Sequence, residues 1–207
     1  MDGISVIKNR EGVNPPTFSF FDEIVVLTLG EPKRVAHINQ ELDYQRIKRV
    51  KFFEGLKGFN QSVYALLEKY QETDKLLVLE DDCAFFVDKQ IEKAIGQLPN
   101  DWDILSFGSN LQSEHYLYSD NLVRLTDGWM THAMGYSKKM IKVILEKFNP
   151  DKDVIFDEWL RLNIYKDYQC FMTYPISAWQ LPSYSHISER EVDYMVLLPT
   201  AKSMIKI

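Results

Sequence analysis

Cysteine is scarce in this chain. Cys83 and Cys170 are the only two in 207 residues; they cannot form a disulfide framework and have no zinc-ligand spacing, so both are expected to be buried thiols. Long apolar runs are missing as well. Nothing approaches the ~18 uninterrupted apolar residues of a membrane span, and residues 1–21 carry Asp2, Lys8, Arg10 and Glu11 where a secretory leader is apolar. The expectation is a cytoplasmic protein with no transmembrane segment. Basic charge is in deficit: 24 Lys and Arg stand against 30 Asp and Glu, a formal net charge of −6. That argues against a chain that grips nucleic acid nonspecifically, which requires a basic surface to displace counterions, and leaves only local basic patches open. Glycine-rich phosphate loops are absent too. With no Gly-x-Gly-x-x-Gly and no Gly-x-x-x-x-Gly-Lys-Ser/Thr, backbone amides are not the expected cradle for phosphate.

What is present fits one ordinary domain over residues 1–207, with its core in 22–187. Apolar residues make up 45% of the chain, enough to bury a core, and no composition shift, repeat or low-complexity tract divides it. Ile24 to Leu27 is a short branched apolar run closed by Gly30 and Pro32, a first strand. A helix with Val35, Ile38 and Leu42 on one face follows, then a strand over Ile47 to Phe53 and a helix over Gly58 to Tyr70. A strand starts at Lys75, a helix near Lys89 to Leu98, and a strand at Asp103 to Phe107, before a polar loop from Gly108 to Asn121. Trp129 to Tyr136 reads as a strand. Ser137 is the N-cap of a helix over Lys138 to Phe148, a further helix spans about Val154 to Tyr165, and the tail from Thr173 is less regular. This order predicts an α/β sheet with helices on both faces.

The segment richest in chemistry is Leu76, Leu77, Val78, Leu79, Glu80, Asp81, Asp82, an apolar strand that runs straight into three carboxylates. Acids crowded at one strand end repel one another unless a cation sits among them. α/β sheets bind ligands beyond the C-terminal ends of their strands, where these acids fall. A divalent ion, Mn²⁺ or Mg²⁺, is the expected occupant, since hard oxygen ligands suit both and such an ion chelates a diphosphate. Helix capping or surface salt bridging is the alternative role for the same acids.

Glu80, Asp81 and Asp82 after an apolar strand, followed by Asp101, Trp102, Asp103, Ile104, Leu105 and then Gly108, resemble the family 25 glycosyltransferases of lipopolysaccharide biosynthesis, which share a GT-A fold. The order of the surrounding pieces agrees over residues 24 to 187. The chain departs from the family at Gly58, Phe59, Asn60, Gln61, Ser62, Val63, where the usual Gly-Cys-x-x-Ser-His keeps only Gly and Ser, and at Thr28, Leu29, Gly30, Glu31, where Asn-Leu-Asp-Arg is usual. The resemblance implies metal-dependent, inverting transfer of a sugar from a nucleotide diphosphate sugar, UDP-linked, to a hydroxyl of a glycan acceptor. It implies metal ligation by Asp82, with Glu80 and with His186 from downstream. Nucleotide contacts are expected from Thr28, Leu29, Arg34, Glu80 and Asp81. Asp157, with Glu158 as second choice, is the expected base, kept ionised by the N-terminus of its helix, or else simply complements that helix's dipole. Trp129, Trp179 and Tyr184 are candidate sugar platforms. His132 either lines the acceptor pocket or is buried, while His37 and His115 are assigned to the surface. Two other classes stay open: a metal-dependent phosphate-ester hydrolase or nucleotidyltransferase, and a noncatalytic carbohydrate-binding domain with a degenerate transferase fold.

Overall fold

The computed structural model describes residues 9–15, 17–86, 88–185 and 190–206. Its first half alternates strand and helix: β1 (Glu23–Thr28), α1 (Pro32–Tyr44), β2 (Lys51–Glu54), α2 (Phe59–Lys69), β3 (Lys75–Glu80), β4 (Cys83–Phe85), α3 (Asp88–Gly96) and β5 (Ile104–Ser106). Short strands follow at β6 (Asn110–Leu111), β7 (His115–Ser119), β8 (Leu122–Arg124), β9 (Gly128–Trp129) and β10 (Ala133–Ser137). Helices α4 (Lys138–Lys147) and α5 (Phe156–Asn163) come next, then β11 (Cys170–Thr173), β12 (Ala178–Gln180), β13 (Ser183–Ser185), β14 (Arg190–Val192), α6 (Leu198–Ser203) and β15 (Ile205–Lys206).

Nine strands form one mixed sheet in the order β15-β7-β8-β11-β5-β10-β3-β1-β2. β1 runs parallel to both β2 and β3, whereas β10 runs antiparallel to β3 and β5. Strand periodicity divides the core. Ile24 and Val26 of β1, with Leu77 and Leu79 of β3, pack on the face that carries Ile38 and Leu42 of α1 and Ile91 of α3. Val25, Leu27, Leu76 and Val78 point the other way, into the layer of α2, α4 and α5. Each fully buried aliphatic side chain in these layers contributes roughly 1.5–3 kcal/mol. The helices therefore cover both faces, as the sequence order predicts.

The capping role of Ser137 holds: its Oγ accepts the Met140 N–H at 3.2 Å. Cys83 and Cys170 are buried free thiols, as expected. Four expectations need correction. Gly108 to Asn121 is not wholly loop but contains β6 and β7, in which His115 and Leu117 turn inward while Tyr116 and Tyr118 face solvent. Trp129 to Tyr136 is not one strand; Met130, at φ 83°, breaks it into β9 and β10. Ile47 precedes β2 rather than joining it, although it is fully buried. His115 is buried, not on the surface: its Nδ1 donates to the Ser113 carbonyl at 2.7 Å, and its Nε2 accepts the Asp127 N–H at 3.1 Å. Burial holds its pKa below the ordinary histidine value. No helix among the described residues is long and apolar enough to cross a membrane.

Candidate functional site

β1 sends its following helix to one face of the sheet and β2 sends its helix to the other, which leaves a crevice beyond the C-terminal ends of β1 and β3, themselves paired as far as Leu27 and Glu80. A cleft of about 750 Å³ opens there. Thr28, Leu29, Arg34, Glu80, Asp81 and Asp82 all line it. Six residues singled out across 55 positions of sequence thus line one cleft.

The cation among the acids is Arg34. From the first turn of α1, its Nε lies 2.6 Å from Asp81 Oδ1 and its Nη2 lies 2.7 Å from Asp82 Oδ2, with both carboxylates buried. The second Asp81 oxygen accepts the Thr28 hydroxyl at 2.5 Å, and Thr28 Oγ1 in turn accepts the Gly30 N–H at 2.9 Å. Gly30 has φ 79°, a left-handed conformation that glycine adopts without a Cβ clash, and this turns the chain back over the end of β1. Gln180 of β12 donates to Asp82 Oδ2 at 2.9 Å. Glu80 alternates to the other face, where its Oε1 accepts the Thr131 hydroxyl at 2.8 Å. Burial and then the Asp82 charge push the Glu80 carboxyl well above the usual carboxylate range, and burial also raises Asp81 against the pull of Arg34 and Thr28.

The opposite wall is the segment 150–155, clipped to α2. Asn60 Nδ2 donates to the Val154 carbonyl at 2.9 Å, and its Oδ1 accepts the Phe156 N–H at 2.9 Å, so α5 is capped by a residue of another helix rather than by its own Ile155. Gln61 Nε2 holds the Pro150 carbonyl at 3.0 Å. Ser62 keeps the entry of α2 tight: its hydroxyl donates to the Gly58 carbonyl at 2.6 Å and accepts the Leu56 N–H at 2.8 Å. Lys57 and Lys152 complete the rim with Asp151 and Asp153, so five carboxylates line the cleft against three cations. Sequence reading assigned no site role to Asn60, Gln61, Lys57, Lys152 or Gln180; the Gly58 to Val63 segment, where Asn60 and Gln61 stand at unspecified motif positions, was the available signal.

Asp157 and Glu158 do not line this cleft. Asp157 lies in the first turn of α5, next to Phe156, which borders a small cavity together with Glu80 and Thr131. Its carboxylate accepts the Glu158 N–H at 2.7 Å and more distantly, at 3.4 Å, the N–H of Met130, the residue held at positive φ. The helix start does not keep its pKa low: burial outweighs these bonds and raises it. Glu158 is bound to the Arg161 guanidinium at 2.7 Å and to the Trp129 indole N–H at 2.6 Å, and the Arg161 bond holds its pKa down. Of the aromatic platforms, Trp129 is 40% exposed, but Trp179 is wholly buried and donates its indole N–H to the Tyr194 carbonyl at 2.9 Å, so it is core. His132 is also fully buried, edge-on to Trp179 at 6.0 Å. His186 and the Tyr184 side chain lie outside the described residues.

No protein-family model matches the chain, and no curated protein does. Solved structures do. A197 from STIV aligns at 12% identity over 83% of this chain and 93% of its own, with a TM-score of 0.46. The inositol-1-phosphate CTP transferase from T. maritima aligns at 15% over 89% and 78%, with a TM-score of 0.42. A glycosyltransferase involved in the glycosylation of the major capsid of PBCV-1 aligns at 9% over 72% and 81%, with a TM-score of 0.40. At such scores these likenesses carry no chemistry to this chain.

The donor chemistry of the acidic wall can be tested for a divalent cation. Every candidate ligand atom on Glu80, Asp81 and Asp82 is a carboxylate oxygen, and a single guanidinium stands against the three of them. That hard oxygen set fits Mn²⁺ or Mg²⁺, which would bind it with the burial-raised Glu80 carboxyl in its ionised form. No ready-made seat of three or more His, Cys, Asp or Glu side chains exists among the described residues, because Asp81 and Asp82 are turned onto Arg34.

Proposed function

We propose that this chain is a glycosyltransferase of the GT-A type, moving a sugar from a nucleoside diphosphate sugar, UDP-linked, to a hydroxyl of a glycan. The observation that supports it most is the convergence of Thr28, Leu29, Arg34, Glu80, Asp81 and Asp82 on one cleft at the C-terminal ends of β1 and β3. The cleft has room for a nucleotide sugar, and Arg34 offers a diphosphate the paired donors that suit its oxygens. Excess carboxylate on the walls would repel that anion unless a further cation came with it. A Mn²⁺ or Mg²⁺ ion, held by Asp82 with Glu80, would neutralise the departing diphosphate.

The acceptor hydroxyl must lose a proton as it attacks the anomeric carbon and the nucleoside diphosphate leaves. Neither Asp157 nor Glu158 lines the cleft, so the acceptor would have to approach over the first turn of α5, and of the two Asp157 suits the role better. Its raised pKa strengthens it as a base, whereas Glu158 is engaged by Arg161 and Trp129. A nucleotidyltransferase or phosphate-ester hydrolase reading would draw a second metal-binding acid from another strand end. Asp103, just before β5, lies instead at the opposite end of the strands, fixed by Lys139 at 2.8 Å and the Gln169 N–H at 2.9 Å.

The test is a thermal-shift panel of nucleotide sugars with and without Mn²⁺, followed by product analysis. A UDP-sugar should raise Tm only with the metal, and turnover should release UDP. Release of a monophosphate or of pyrophosphate would move the protein to another class.

A further inference from the structure

We infer that Arg34 is a built-in counter-ion that must leave Asp82 before a divalent cation can bind, so that the cation and the nucleoside diphosphate enter the cleft together. This rests on the reading of the cleft as a nucleoside diphosphate site. The Arg34 side chain is 18% exposed and those of Asp81 and Asp82 are 5% and 4% exposed, so the ion pairs are shielded from water. Thr28 occupies the second oxygen of Asp81, and Gln180 shares the Asp82 oxygen that Arg34 holds. A bare cation that takes Asp82 strips the largely buried guanidinium of one of its two partners, a costly loss for a buried charge. A diphosphate arriving with the cation gives the guanidinium a new anionic partner and leaves Asp82 to the metal.

The position of Arg34 permits the exchange. It stands in the first turn of α1, directly after the turn at Gly30, and its long side chain reaches the cleft wall from the helix end that faces the ligand space. The two ligands are therefore linked: each raises the affinity of the other by the same factor, as reciprocity of binding free energies requires.

The experiment measures Mn²⁺ binding to the full chain by electron paramagnetic resonance without nucleotide, and UDP binding by calorimetry with excess EDTA or with saturating Mn²⁺. Wild type should bind bare Mn²⁺ weakly, with UDP affinity at least tenfold higher in Mn²⁺ than in EDTA. Arg34→Gln should bind bare Mn²⁺ at least tenfold more tightly than wild type, while its UDP affinity falls and depends less on the metal. Arg34→Lys, which keeps the charge but cannot bridge two carboxylates, should lie between them and serves as the test if Arg34→Gln does not fold. If Arg34→Gln, or Arg34→Lys in its place, binds bare Mn²⁺ no better than wild type, while wild type still binds UDP in a metal-dependent way that Asp82→Ala abolishes, the counter-ion inference is wrong and the reading of the cleft survives. If wild type binds neither UDP nor any other nucleoside diphosphate with Mn²⁺, both fall.

Discussion

Replacing His132 by Phe should change how stability depends on acid, and the size of the change follows from where the ring sits. His132 is 0% exposed, its ring edge meets Trp179, and the backbone of Ala178 offsets only part of what the ring loses on leaving water. Burial disfavours the imidazolium and pushes the pKa down to about 4. In the unfolded chain it returns to about 6.5. Because the folded value is the lower, the unfolded chain binds a proton between those limits that the native state refuses. The His132 contribution is therefore intact above about pH 6.5, lost progressively as pH falls towards 4, and unchanged below. A gap of roughly 2.5 units at 1.36 kcal/mol per unit makes the loss about 3 kcal/mol. Glu80, Asp81 and Asp157, whose pKa values burial raises, act in the opposite direction as they titrate, so the wild-type slope alone is not diagnostic. They remain in the variant and largely cancel in the difference. Urea unfolding of wild type and His132→Phe from pH 7 to pH 4 supplies the assay. The gap between the two proteins should move by about 3 kcal/mol in favour of the variant as the solution is acidified. A gap that stays constant across that range would refute the reasoning.

Three further outcomes are expected. Asp157→Asn keeps the size and one acceptor oxygen of the side chain but deletes its basicity, so turnover should fall roughly 10²- to 10⁴-fold with donor affinity unchanged; wild-type turnover in this variant together with an inactive Glu158→Gln would move the base one residue along, and two active variants would leave the helix start structural. Asn60→Ala removes the clip between α2 and the 150–155 wall, and should cost about 1–3 kcal/mol in denaturant unfolding and speed amide exchange over 152–157, whereas unchanged exchange there would show that the wall holds itself. Ser137→Ala deletes the cap of α4 and should lower stability by about 1 kcal/mol, read as a shift in urea midpoint at constant slope.

The sequence alone determined the features that depend on local pattern. The unbroken apolar runs Ile24 to Leu27 and Leu76 to Leu79 mark strands buried on both faces, Ser137 marks a helix start, and the acids after β3 mark a strand end at which ligands gather. Short strands such as β7 and β11 escaped notice because pairing partners far along the chain, rather than their own composition, hold them extended. The tertiary structure alone decided the charge balance of the site. Thr28, Arg34 and Gln180 reach Asp81 or Asp82 across 53, 47 or 48, and 98 residues of chain, and no periodicity or spacing encodes such a meeting. The same holds for burial, which raises the pKa of Asp157 where its place in the first turn of a helix argues for lowering it. Desolvation depends on what packs against a group from every side, and that is settled only when the whole chain has folded.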